Sequence, residues 1–220
     1  MPIHRISRLG VNAYIVDEED GLTLVDTMLP RNQKRILAAA QALGRPIVRI
    51  ALTHAHGDHV GSLDALAAAL PGVEVVISGR DARLLAKDMT HDPGEPPDKL
   101  RGSYPGAQTA PTRTVAPGDR IGSLEVHAAP GHTPGQVAFL DARDRTLYCG
   151  DAYSTLGGVA TAAELHWRFP LVNFGTWHKP TALATARALR ALEPARLAAG
   201  HGKVVEAPGA AMDRAIAKAA

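Results

Sequence analysis

Three imidazoles and a carboxylate fall within six residues in Thr53-His54-Ala55-His56-Gly57-Asp58-His59. Such a cluster is costly to bury unless a shared cation satisfies it, so metal binding is the first chemistry to consider. A lone histidine is more often a surface or core residue, but three with an intervening aspartate follow the pattern of dense ligand clusters. In an extended segment alternate side chains point the same way, so His54 and His56 converge while Ala55 turns away. Gly57 permits the sharp turn that follows. Asp58 and His59 then face the same point from the start of a helix, an arrangement that suits two adjacent metals better than one.

The apolar run Ile47-Val48-Arg49-Ile50-Ala51-Leu52 reads as a buried strand that delivers this cluster at its C-terminal end. Before it, strands over residues 3–7, 12–16 and 22–26 form an antiparallel meander, and helical spacing over 31–43 ends at Gly44. After it, the pattern predicts a helix from Asp58 through Leu70, a strand over 73–78 and a short helix over 80–87. Residues 88–111 carry too many breakers for a regular element; a loop of this kind either covers a site or is a surface excursion. A second run of strands follows at 112–115, 120–121, 124–129, 136–140 and 146–148, then a helix over 181–192, a strand over 196–200 and a terminal helix over 207–220. Two β-rich halves thus flank intervening helices with no linker or internal repeat, so residues 1–220 read as one domain.

Three more candidate ligands stand at the ends of expected strands: His132 in the turn 129–135, Asp151 after 147–150, and His201 after 197–200. Each is preceded by a glycine, which lets the backbone turn the ligand out of the sheet edge. Nitrogen and oxygen donors without a thiolate suit zinc and also tolerate manganese or iron.

On these residues the chain resembles the metallo-β-lactamase superfamily. The matching motifs are His54-x-His56-x-Asp58-His59, Gly131-His132-Thr133-x-Gly135, Gly150-Asp151 and Gly200-His201-Gly202, in the family's order and over essentially the whole length. The resemblance implies an α+β fold, a four-layer αββα sandwich with the site at one edge of the two sheets. It implies two divalent metals, with His54, His56 and His132 on the first, Asp58, His59 and His201 on the second, and Asp151 bridging them. Val25-Asp26-Thr27 resembles a family motif in which the aspartate supports a ligand histidine from behind, with Met28 standing where glycine is common. Thr133 is a second candidate for such a supporting place.

Two divalent ions about 3.5–4 Å apart can share a bridging water and bring its pKa toward neutrality. The expected reaction is therefore hydrolysis: hydroxide attacks a carbonyl or phosphoryl centre, and Asp58 accepts and passes on the nucleophile's proton. Tyr153 either donates to a developing oxyanion or packs over the site edge. His166, Trp167, Phe169, Trp177 and His178 are weaker candidates for contact with a small-molecule substrate. The aromatic residues among them, with Phe174, would line an apolar pocket or cover a homodimer interface.

Composition narrows the choice. A formal net charge of +2 with acids and bases interspersed offers no basic stripe for nucleic acid and no membrane-surface patch, which disfavours a phosphodiesterase or nuclease. The first residues lack a signal peptide's apolar core and no apolar run reaches spanning length, so a cytoplasmic location is expected. A single cysteine, Cys149, allows no intrachain disulfide. Within the family, secreted zinc β-lactamases usually carry cysteine at the position of Asp151. Glyoxalase II enzymes add a helical glutathione-binding domain, whereas nineteen residues follow His201 here. Small acyl hydrolases remain, acting on lactones, first of the acyl-homoserine lactone type, or on thioesters. The alternative of a different class is a non-hydrolytic member that uses its metals for redox chemistry or ligand binding.

Overall fold

Strand residues that alternate between two apolar faces need partners on both sides, and this chain supplies them with two sheets and two helical layers. The computed structural model describes residues 3–220. The first sheet begins with β1 (His4–Arg8), β2 (Val11–Glu18) and β3 (Gly21–Val25) and continues, after helix α1 (Gln33–Ala42), with β4 (Ile47–Ala51). Helices α2 (Gly57–Val60) and α3 (Leu63–Ala69) lead to β5 (Glu74–Ser78); α4 (Gly79–Leu85) and a long irregular segment lead to β6 (Arg113–Val115). The order is β1-β2-β3-β4-β5-β6, antiparallel as far as β3 and parallel beyond it.

The second half supplies β7 (Arg120–Ile121), β8 (Leu124–Ala128), β9 (Val137–Asp141), β10 (Thr146–Gly150) and a small hairpin of β11 (Tyr153–Ser154) and β12 (Ala160–Thr161). Helices α5 (Leu171–Gly175) and α6 (Lys179–Ala191), strands β13 (Arg196–Ala199) and β14 (Val205–Glu206), and helix α7 (Gly209–Ala219) complete it. The second sheet runs β14-β13-β10-β9-β8-β7.

Period-two burial sorts the strand residues into layers. Leu24, Ile50, Val75 and Ile77 pack with Ile36 of α1, Leu66 of α3 and Leu84 of α4, whereas their neighbours Val25, Ala51 and Val76 meet Val126, Phe139 and Tyr148 of the second sheet. On the far side Leu140, Leu147 and Leu197 pack under Ala186 and Leu189 of α6 and Met212 and Ala215 of α7. Each such aliphatic side chain contributes about 1.5–3 kcal/mol by leaving water. A one-residue slip would turn a whole strand's set to the wrong layer. The architecture is the expected α+β sandwich with helices outside two central sheets.

The helix expected from Asp58 through Leu70 is broken. The Gly61 N–H donates to Met28 O (2.9 Å), and the Ser62 hydroxyl donates to Leu29 O (2.7 Å) while accepting from Asn32 N (2.9 Å). The turn that follows β3 takes the backbone and side-chain groups a continuous helix would use, and α2 is left as a single turn. In that turn Met28 holds φ +61°, a left-handed conformation that glycine adopts more readily. The hairpin β11–β12, α5 and β14 lie where no hydrophobic period marks them. Among the described residues, no helix is long and apolar enough to cross a membrane.

Candidate metal centre

The sequence places the donors at strand ends, and the sandwich brings those ends to one edge. His54 and His56 follow β4, Asp58 and His59 sit on α2, His132 lies between β8 and β9, Asp151 directly follows β10, and His201 follows β13. All are buried except Asp58, whose side chain is 32% exposed. Two glycines allow the approach. Gly150 has φ +51°, and a Cβ there would lie 2.7 Å from Thr53 Oγ1; a Cβ on Gly200 would collide with Asp151 Oδ1 and the His59 ring.

Each of the five histidines is held by its outward nitrogen. His56 Nε2 faces Arg101 O (2.9 Å), His59 Nδ1 faces Asp26 Oδ2 (2.8 Å) and His201 Nδ1 faces Gly10 O (3.3 Å). Carbonyls and carboxylates only accept, so these nitrogens carry the proton. His54 Nδ1 faces Thr53 Oγ1 (3.0 Å), whose own proton goes to Asp26 Oδ2 (2.8 Å). His132 Nδ1 faces Thr176 Oγ1 (3.0 Å), whose proton goes to Val172 O (2.7 Å). Both hydroxyls therefore accept from the ring. With the outward nitrogen protonated, the nitrogen each ring turns inward is the one left to bind a cation: Nδ1 of His56 and Nε2 of the other four.

Those inward atoms meet. His56 Nδ1 and His132 Nε2 are 2.9 Å apart, and His54 joins them in a group of donors that could hold one metal ion. Asp58, His59 and His201 form a second such group, with His201 Nε2 3.3 Å from Asp58 Oδ2. Asp151 reaches both, with Oδ2 3.1 Å from His201 Nε2 and 3.5 Å from His132 Nε2. Ligands about 2.0–2.1 Å from a tetrahedral zinc would stand about 3.3 Å from one another, so these spacings fit a divalent cation. The buried atoms His54 Nε2, His59 Nε2 and Asp151 Oδ1 have no hydrogen-bond partner, which the donor chemistry explains if a cation takes their lone pairs.

Electrostatics divides the two groups. Burial pushes the His54 and His56 pKa values down, and that of His132 down to about 3, so the first group is a set of neutral bases. Burial also opposes charge on His59 and His201. There the carboxylates win: Asp151 with Asp26 and Asp58 holds His59 well above its ordinary value, and Asp151 and Asp58 hold His201 up to about 9. The second group thus attracts positive charge, as proton or as metal.

The expected supporting residues take definite places. Asp26 joins two donors, accepting from His59 and, through Oδ1, from Thr53 N (2.8 Å). The Thr133 hydroxyl serves Asp81 and not a histidine: it donates to Asp81 Oδ2 (2.8 Å), which also accepts from Ala55 N (2.9 Å), while Asp81 Oδ1 accepts from Gly135 N (2.8 Å). Asp81, fully buried on α4, therefore ties the His54–His56 segment to the His132 turn. Its role, and those of Thr53, Thr176 and the Arg101 and Gly10 carbonyls, were not foreseen. Thr53 had a local signal beside His54; the others are distant in sequence.

The remaining candidates divide. Tyr153, read either as a donor to the reaction or as a ring over the site edge, is turned the other way: its ring is fully buried under α6 and its hydroxyl donates to Ala186 O (2.7 Å). Phe169 lines the cavity over the donors, its ring centroid 4.9 Å from that of His201. Trp167 is 78% exposed, and with His166 it lines a different cavity beside α7. His178 caps α6, accepting from Thr181 N. Trp177 is buried and its indole N–H donates to Asp98 O (2.8 Å), pinning the segment after α4. That segment covers the site: Gly57 N donates to Ser103 O (2.9 Å), and the Tyr104 ring lies 4.6 Å from that of His56.

An αββα sandwich with convergent imidazoles and carboxylates at one edge of its sheets is a metallohydrolase architecture. The chain belongs to the metallo-beta-lactamase superfamily, whose family model matches residues 6–201. It is 45% identical over 210 residues to the uncharacterized protein YobT of Bacillus subtilis (strain 168), covering 95% of this chain and 90% of that protein. It is 31% identical over 155 residues to a hydroxyacylglutathione hydrolase of Gloeobacter violaceus, covering 69% of this chain and 52% of the relative. The chain therefore spans about half the length of that hydrolase. Among solved structures, the di-iron-bound form of TTHA1623 superposes with a TM-score of 0.70 at 27% identity, covering 95% of this chain and 96% of that one. The B3 metallo-beta-lactamase BLEG-1, at 19% identity and TM-score 0.70, shares the fold.

Proposed function

We propose that this chain hydrolyses an ester-type acyl bond, a lactone or a thioester, in a small-molecule substrate. The observation that carries the reading is the convergence of five oriented imidazole nitrogens and two carboxylates at the base of an open cavity of about 450 Å³. His54, His56 and His132 would hold one divalent cation, Asp58, His59 and His201 a second, and Asp151 both. Zinc suits the donors best, with iron or manganese tolerated. Two bound cations supply an acidified water and a polarised electrophile oxygen.

The residues of the chain do the rest. The outward hydrogen bonds keep all five imidazoles in the liganding tautomer. Asp58 lines the cavity and, alone among the donors, is partly exposed, so its carboxylate can take a proton and pass it to solvent. Phe169 and Val172 exclude water from one wall. The thioester reading gains support from the hydroxyacylglutathione hydrolase relatives, and the lactone reading from a cavity large enough for a ring with an acyl chain.

The test is proton release in weak buffer by zinc-loaded protein, across lactones, thioesters, phosphodiesters and β-lactams, with chelated protein as blank. A chelator-sensitive signal with lactones or thioesters, lost together with metal in His56→Ala, is expected. Turnover confined to phosphodiesters, or full metal loading in His56→Ala, would overturn the assignment.

A further inference from the structure

Apart from Ser103, the cavity above the donors is polar only at its base. Its walls are Leu9, Val11, Leu29, Phe169, Leu171 and Val172, and no lysine or arginine is among the residues that line it. Leu9 is 82% and Leu171 63% exposed, and Phe174, on the same helix as Leu171, is 57% exposed. Single exposed apolar residues are ordinary, but two of these stand together at the mouth of one cavity. Of the arginines close in sequence to the walls, Arg5 donates to Gly202 O, Arg8 to Asn32 Oδ1 (3.4 Å) and Arg168 to Gly157 O (3.4 Å), while Arg101, beside Gly102, is exposed and does not line the cavity.

We infer that the substrate presents an uncharged, apolar acyl or alkyl portion to these walls, and that the site discriminates against glutathione conjugates; this rests on the hydrolase reading. Glutathione carries two carboxylates and an ammonium several bonds from its sulfur. Cationic charge in a loaded centre would sit at the cavity base, beside the reacting carbonyl, so those remote charges would fall against leucine, valine and phenylalanine. A carboxylate that loses water there finds no compensating donor of opposite charge. An alkyl chain, by contrast, covers Leu9 and Leu171 and gains about fourfold in affinity per buried methylene. The similarity to hydroxyacylglutathione hydrolases spans about half the length of such a relative.

The experiment uses non-hydrolysable thioethers, so that binding is read apart from turnover. Zinc-loaded protein is titrated calorimetrically with S-octyl-N-acetylcysteamine, which is neutral, and with S-octylglutathione. The neutral ligand should bind at least tenfold tighter, its butyl analogue markedly weaker than the octyl, and Leu171→Arg should narrow the gap to less than threefold by offering a cation at the mouth. Equal or tighter binding of the glutathione ligand to the wild type, or binding of neither, overturns the inference. Tight binding of the neutral thioether with no hydrolysis of the matching thioester would instead refute the hydrolase reading and leave the inference standing.

Discussion

Replacing Asp81 with alanine should loosen the metal centre without removing any donor. Asp81 is fully buried and accepts from Ala55 N, Gly135 N and Thr133 Oγ1. The hydroxyl can rotate to another acceptor, but the two amides cannot, and each buried donor left unpaired costs about 1–3 kcal/mol. The loss should be about 4 kcal/mol. In a chain of this size each kcal/mol moves the melting temperature by about 2–4 °C, so a fall of roughly 10 °C is expected. Because Ala55 lies between His54 and His56, metal stoichiometry should drop as well. Asp81→Asn, which keeps one carbonyl acceptor, should recover about half of the stability. Scanning calorimetry on zinc-loaded and chelated protein, with elemental analysis of bound metal, reads both effects. An Asp81→Ala protein that melts within 2 °C of wild type and keeps its full metal content would refute the reasoning.

Three further outcomes are expected. Chelation should lower the melting temperature by roughly 10 °C, reversibly with zinc, since a ligand at a thousand times its Kd stabilises by about 4 kcal/mol; an unchanged transition in differential scanning fluorimetry would mean that the inward donors hold no metal. Thr176→Val removes the acceptor of His132 Nδ1–H at nearly constant volume, and should weaken zinc about 10–100-fold in competition with a chromophoric chelator; unaltered affinity would show that the hydroxyl does not set the ring. Tyr153→Phe should cost about 1 kcal/mol of stability and leave kcat unchanged, because the hydroxyl serves Ala186 O. A tenfold fall in kcat would return Tyr153 to the chemistry.

The donors were legible because their information is local. Four of them occupy six consecutive residues after a strand, and the other three follow glycines at strand ends, so periodicity and turn chemistry suffice to find them. The layers followed from the family resemblance and not from alternation, since strands such as β3 and β9 are buried at every position and their apolar runs do not state which neighbour each face meets. The single long helix after His56 was misread because its break comes from another segment, the turn at Met28–Asn32 that captures Gly61 and Ser62. The choice left open for Tyr153 could not be made because position along the chain does not reveal rotation: two residues beyond Asp151 the backbone has already turned into the β11–β12 hairpin.

Sequence by itself determined the kind of chemistry: which atoms can bind a cation, in what order they occur, and that two sheets would carry them. Tertiary structure alone decided the state of those atoms. The proton on each imidazole is placed by an oxygen from elsewhere, such as Arg101 O for His56, Thr176 Oγ1 for His132 and Gly10 O for His201, residues 45, 44 and 191 positions away. The character of the cavity is likewise assembled from Leu9, Leu29 and Leu171, which share no motif. Hydrogen bonds and apolar walls depend on distance in space, and only folding of the whole chain sets those distances.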